Sequence, residues 1–217
     1  MGTSLLAASA SRSGTPPPCE AAAPAADFCP AQRVAGTLPS PAPPNSIGWI
    51  DETIEVAVDR EGLTAGVTPL QQTDGSSLVA PAVTDWTFRP AVDRGQPVPS
   101  RVLVAAMFRP PVLYNGPAPG AAAAPLAAAS SDVPTPTERT PPVYPALAVA
   151  DAVVLVEVLV GPDGRVHAAS VTRGSPGFDE VSLTAARGWS FRPAQRNGQP
   201  VAAYAYLVFG FRRPLAP

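Results

Sequence analysis

Trp86-Thr87-Phe88-Arg89-Pro90-Ala91 returns as Trp189-Ser190-Phe191-Arg192-Pro193-Ala194, and this pair of phrases decides how the chain is read. Each is followed at the same distance by Gly-Gln-Pro-Val, at Gly95–Val98 and Gly198–Val201, and Phe108 and Phe211 close the match. One spacing of 103 residues serves all three pairs (189 against 86, 198 against 95, 211 against 108). A spacing kept over more than twenty positions marks an internal duplication, one small unit written twice.

Working outward from the second phrase, Val153 to Val160 is an almost unbroken β-branched run. Val154, Val156, Val158 and Val160 share one face, and Val153, Leu155, Glu157 and Leu159 the other. Gly161-Pro162-Asp163-Gly164 follows, where proline presets the turn and Gly164 can take positive φ. Val166 to Thr172 reads as the returning strand of a hairpin. Ser175-Pro176 then offers a helix cap with proline in the first turn. Phe178, Val181, Ala185 and Trp189 fall at intervals of three and four and mark one apolar stripe. Pro193 bounds the helix, because proline lacks the amide donor and restricts the residue before it. Asn197-Gly198 supplies a turn, and Val201 to Phe211 a long final strand. A short helix around Ala146–Ala150 is expected ahead of the first strand. The order predicts an α+β fold of two small domains, each a short antiparallel sheet of about three strands with one or two helices packed on one face. Trp189 and Phe191 are expected as core anchors where the helix gives way to strand.

The first copy follows the same order less regularly. Ile54, Val56 and Val58 alternate, and Asp59-Arg60-Glu61-Gly62 turns the chain. Leu78 to Trp86 holds the helix position, with Pro81 tolerable only in its first turn. Val98 to Phe108 is the last strand, with Pro97 and Pro99 at its start, where a missing donor harms least. Four segments result: a disordered Pro/Ala-rich stretch over 1–47, a degenerate domain over 48–110, a Pro/Ala-rich linker over 111–140 and a regular domain over 141–214. Of the 30 prolines, nine lie between Pro16 and Pro44 and eight between Pro117 and Pro145. Tracts with so few large apolar residues cannot offset the entropy of ordering.

The net charge is −2, arginine supplies every positive side chain other than the lone histidine, and no basic stripe appears. That argues against a nucleic-acid partner. The longest apolar stretches fall short of the ~20 residues a membrane helix takes. Leu5–Ala10 resembles the tail of a secretory signal without its basic region; either the true start lies upstream of Met1 or this is ordinary leader. Cys19 and Cys29 are the only cysteines, and in an oxidising compartment they could close a loop of 11 residues, worth roughly 3 kcal/mol against the open chain. Two thiols in such a segment fit an envelope or secreted setting better than the cytosol.

Pro142-Val143-Tyr144-Pro145, the valine strand with Gly161-Pro162-Asp163-Gly164-Arg165-Val166, the run Ala185–Ala194 and Asn197–Val201 stand in one order. From about Pro141 to Pro214 the chain resembles the C-terminal domain of TonB-family proteins, and from about Trp49 to Pro110 it resembles the same domain without the Tyr-Pro lead-in. The structural marks of the resemblance are Tyr144, Pro145, Gly164, Trp189, Phe191, Pro193 and Gly198. It implies a periplasmic module that engages outer-membrane transporters and passes on inner-membrane energy. It further implies that the transporter's extended plug segment adds to the sheet edge beside the last strand, since an exposed edge offers unpaired amides and carbonyls. Val201, Ala202, Tyr204, Tyr206 and Val208 are the expected partner-binding residues. Tyr204 and Tyr206 either stand wet at that edge or cover the open face of the sheet. An inner-membrane motor complex is a further expected partner if an anchor lies upstream of Met1.

Little in the sequence suggests chemistry. His167 is the single histidine and is expected exposed on a strand. Any Ser-His-Asp or Cys-His system would have to use it. One histidine builds no histidine metal cluster, and the two cysteines lack zinc spacing. Asp163 and Glu157 have no partner at a spacing that suggests acid–base work, and Gly161 and Gly164 belong to a hairpin rather than a phosphate loop. The expectation is no enzyme, no cofactor and no metal. The leading function is a TonB-family energy-transducer-like binding module; the alternative is a soluble envelope scaffold that binds extended peptides without energy coupling. An exported hydrolase stands third.

Overall fold

The computed structural model describes residues 28–46, 48–71, 77–111, 126 and 129–214. Phe28–Cys29 (β1) and Gln32–Ala35 (β2) lead into a hairpin of Ile50–Val58 (β3) and Thr64–Pro69 (β4). A short helix, Ala80–Val83 (α1), then Thr87–Arg89 (β5), Ala91–Asp93 (β6), Gln96–Val98 (β7) and the long Ser100–Arg109 (β8) complete the first half. The second half repeats the order: Thr135–Glu138 (β9) leads into the hairpin Ala152–Val160 (β10) and Val166–Arg173 (β11). Asp179–Arg187 (α2), Ser190–Arg192 (β12), Ala194–Arg196 (β13), Gln199–Val201 (β14) and Ala203–Phe211 (β15) follow.

The repeated residues do the same work twice. Gly62 and Gly164 sit at φ 85° and 77°, and a Cβ on either would lie 2.0 Å from the carbonyl oxygen of Phe88 or Phe191. Only glycine fits such a turn. The same close approach lets Phe88 N donate to Gly62 O at 2.7 Å and Phe191 N to Gly164 O at 2.8 Å. Trp86 and Trp189 are buried, so each indole N–H needs an acceptor inside the protein. Trp86 Nε1 finds Thr37 O at 2.6 Å and Trp189 Nε1 finds Thr140 O at 3.0 Å. These bonds pull both lead-in segments onto the fold. Residues 28–46 and 129–140, expected as disordered tract and linker, therefore carry β2 against β5 and β9 against β12.

The long strands of both halves join one six-stranded sheet in the order β11-β10-β15-β8-β3-β4. The α+β composition stands, but the two separate three-stranded sheets are one. Five of its strand boundaries need only two kinds of pairing: antiparallel within each half, and parallel where β15 meets β8, from Ala205 opposite Leu103 to Phe211 opposite Arg109. Strand neighbours across that seam are thus 102 residues apart, whereas the sequence equivalents Phe108 and Phe211 are 103 apart. Because side chains alternate faces along a strand, a difference of one residue turns equivalent positions to opposite faces. Each half consequently lays its helix on a different side of the shared sheet. On one side Ala185, Ala186 and Trp189 pack with Val154, Val156, Val158, Leu207, Phe209, Leu103 and Met107. On the other, Val79, Val83 and Trp86 pack with Ile54, Val56, Val104, Phe108, Tyr206 and Val208. The two central strands are covered on both faces, and all nine residues of β15 are buried.

Helix boundaries depart from the sequence reading in two places. Ala146–Ala150 is a turn, with Ala148 N bonded to Pro145 O at 3.0 Å, and not a helix. Ser175-Pro176 does not cap α2: Gly177, at φ 84°, breaks the helical path, and Asp179 accepts instead from Ser175 N at 2.7 Å. Pro81 does fall in the first turn of α1.

Candidate functional site

The segment expected to be an open edge lies in the middle of the sheet. Val201 ends β14 opposite Ala194, and Ala202 links it to β15. Tyr206 has Glu157 on one side and Val104 on the other; Val208 lies between Leu155 and Ala106. Tyr204, opposite Leu159, is buried with them. Both tyrosines are therefore inside, and the main-chain groups from Ala205 to Phe211 already have ladders on two sides. Tyr206 packs its ring 5.8 Å from that of Trp86 and 6.3 Å from Phe88. Its hydroxyl accepts from Arg33 N at 2.5 Å and donates to Glu157 Oε2 at 3.2 Å. Burial holds both phenols well above their ordinary pKa, and the Glu157 charge adds to this.

Reopening this seam is costly. Parting β8 from β15 strips cover from Leu103, Val104, Met107, Phe108, Leu207 and Phe209, at roughly 1.5–3 kcal/mol for each fully exposed side chain. A guest strand would return only about 1 kcal/mol per new hydrogen bond. Burial wins, so the seam is a permanent feature of the fold.

The residues that carry the resemblance are structural. Tyr144 donates to Ala150 O at 2.8 Å and stacks edge-on to Phe178 at 5.5 Å. Pro145 accepts the turn bond described above, Pro193 separates β12 from β13, and Gly198 forms the β13–β14 turn at φ 76°. Trp189 and Phe191 are core residues. Cys29 is disulfide-bonded, and Cys19 lies outside the described residues.

What stays open is the outer margin of β11 and of β4, the two ends of the sheet among the described residues. Beside β11 lies Glu157, for which the sequence suggests no partner and to which the structure gives two. Glu157 sits opposite Ser170 of β11 and accepts from Gln32 Nε2 at 3.0 Å, a bond that ties the halves together. Burial raises its pKa, against the pull of the Gln32 and Tyr206 hydrogen bonds and of Arg33 and Arg89. The signal was present as one carboxylate inside a valine run. A second missed pair is His167 Nε2 and Asp163 Oδ1, 2.9 Å apart and both about half exposed. The amide of Arg165, then the His167 hydrogen bond, holds Asp163 below its ordinary value. Among the described residues no group of three His, Cys, Asp or Glu could hold a metal, and no helix is long and apolar enough to cross a membrane.

Residues 140–212 match the model of the Gram-negative bacterial TonB protein C-terminal. This TonB C-terminal domain thus comprises β10, β11, α2 and β12 to β15, the half whose last strand is sealed by β8. No curated protein matches the chain. TonB C-terminal domains belong to the Gram-negative periplasm and interact with outer-membrane transporters.

Proposed function

We propose that the protein is a non-enzymatic, energy-transducer-like binding module of the periplasm, with two TonB C-terminal-like copies of which the first is degenerate. The first copy supplies β8 as a permanent neighbour to β15. Extended segments of outer-membrane transporters, or of another envelope protein, then add along the outer margin of β11. The observation that supports this reading is the strand order, in which β11 is the margin of the six-stranded sheet that falls inside the TonB C-terminal domain among the described residues. An unpaired row of amides and carbonyls is what an extended guest needs. β11 also runs from Val166 to Arg173 without proline or glycine, while β4 contains Gly66 and ends at Pro69, residues that weaken an edge. Cys19 bonded to Cys29 would suit the same oxidising compartment.

The test is a titration of the isotope-labelled intact chain with extended transporter-derived peptides, followed by amide shifts. Shifts along Val166–Arg173 with β15 silent are expected. Shifts confined to Ala203–Phe211 would refute the reading. The sealed β15 favours a second reading, an envelope scaffold without energy coupling. Loss of transporter-dependent uptake on deletion of the gene supports the transducer, and unchanged uptake supports the scaffold.

A further inference from the structure

Three arginines converge on the side of β11 that faces the lead-in of the first half. Arg33 on β2 stacks 4.3 Å over Trp86 and gives Nη2 to Gly36 O at 2.7 Å, while its Nε is buried without a partner. Arg89 on β5 is exposed and reaches Gln32 Oε1 at 3.4 Å. Arg173, the last residue of β11, is exposed opposite Leu155. The charges of Arg33 and Arg173 repel one another, and Arg33 and Arg89 both act on Glu157. Two carboxylates face this group. Glu157 is buried and occupied by Gln32 and Tyr206, and Asp85 is occupied by the amide and hydroxyl of Thr37. Two exposed guanidiniums thus lack a carboxylate of their own at the end of an unpaired strand. Ala168 and Ser170, small and half-buried, leave the neighbouring strip of β11 unobstructed.

The other margin lacks the feature. Counting 102 back from Arg173 reaches Gln71, and 103 back from the second-half position Pro136 reaches Arg33. Glu55, the counterpart of Glu157, is paired directly with Arg101 at 2.9 Å. Arg192, the counterpart of Arg89, is exposed on the other side as well and gives Nη2 to Thr135 Oγ1 at 3.0 Å, but no second arginine ends β4 beside it as Arg173 ends β11.

We propose that Arg89 and Arg173, with Arg33 behind them, select an acidic extended segment as the guest strand of β11. The inference rests on strand addition at that margin and adds the chemistry of the partner. Guanidinium forks suit carboxylates because they offer paired donors in one plane. The test uses the intact labelled chain and two synthetic Thr/Val-rich heptapeptides, one carrying two aspartates and its twin carrying asparagines. Two exposed ion pairs favour the aspartate peptide by about fivefold, and rising salt shrinks that preference. In the double variant Arg89→Gln/Arg173→Gln, both exposed positions, the preference is expected to vanish while amide shifts along β11 persist. Equal binding of the twins, or a preference that survives in the double variant, overturns the acidic selection and leaves the edge reading intact. If neither peptide moves the β11 amides, strand addition itself falls, and the selection with it.

Discussion

The two halves place a glutamate at the same point and solve it differently. Glu55 on β3 and Glu157 on β10 each face away from their own helix, toward the lead-in of the other half. Ser130 N and Oγ reach Glu55 at 2.9 and 2.8 Å, and Arg101 completes a salt bridge. Glu157 receives neutral donors, Gln32 and Tyr206, and burial raises its pKa. The two halves repeat one order of elements, yet their polar fillings differ. One half spends its arginine on the internal carboxylate, and the other leaves arginines facing outward beside a free strand.

The comparison can be tested from its largest effect downward. Trp86→Ala and Trp189→Ala should each destabilise the chain by about 3–5 kcal/mol, and each should lower one common unfolding transition followed by far-UV circular dichroism. Two separable transitions would show that the halves do not share a core. Gly62→Ala and Gly164→Ala should each cost on the order of 1–3 kcal/mol, since both force a side chain into positive φ against a phenylalanine carbonyl. Unequal losses in urea titrations would reveal that one turn has relaxed.

Smaller effects separate the glutamates. At neutral pH Glu55→Gln should lower the urea midpoint more than Glu157→Gln, because only the first forfeits a direct guanidinium partner. Glu157 adds a pH signature. Its folded pKa is raised, so the protonated form is the one the fold favours. Its contribution is full below the ordinary glutamate value and is lost as pH rises through the raised folded value. The stability of the native chain relative to Glu157→Gln should therefore decline as pH climbs through that window. A pH-independent difference would show that burial does not govern this carboxyl. Smallest of all, His167→Ala should leave the melting midpoint unchanged, as a side-chain pair this exposed competes with water for its hydrogen bond.

Much of the fold could be read from residues. The duplicated phrases, the glycine turns and the aromatic anchors each follow from local rules, and Pro81 kept its allowed place. The lead-in strands could not, because Gln32–Ala35 and Thr135–Glu138 are short, polar and set among prolines. Their order comes from an indole N–H whose acceptor lies 49 residues earlier in the chain, a tertiary cause without periodicity. The site was misplaced for a different reason. The expectation for Tyr204 and Tyr206 is a wet edge or an open sheet face, although the run Ala-Tyr-Ala-Tyr-Leu-Val-Phe-Gly-Phe contains no charged residue at all. Unbroken apolar character signals a strand covered on both sides. What the strand alone could not tell is that its second neighbour would come from the other copy.

The offset of a single residue between seam register and sequence equivalence has a consequence for how such a gene can be cut. Each copy is the other's backing layer, mounted in reverse. A fragment encoding only one of them would emerge with an oily rear surface and nothing behind it. Truncation should therefore yield sticky, self-associating material, never a tidy half-sized protein.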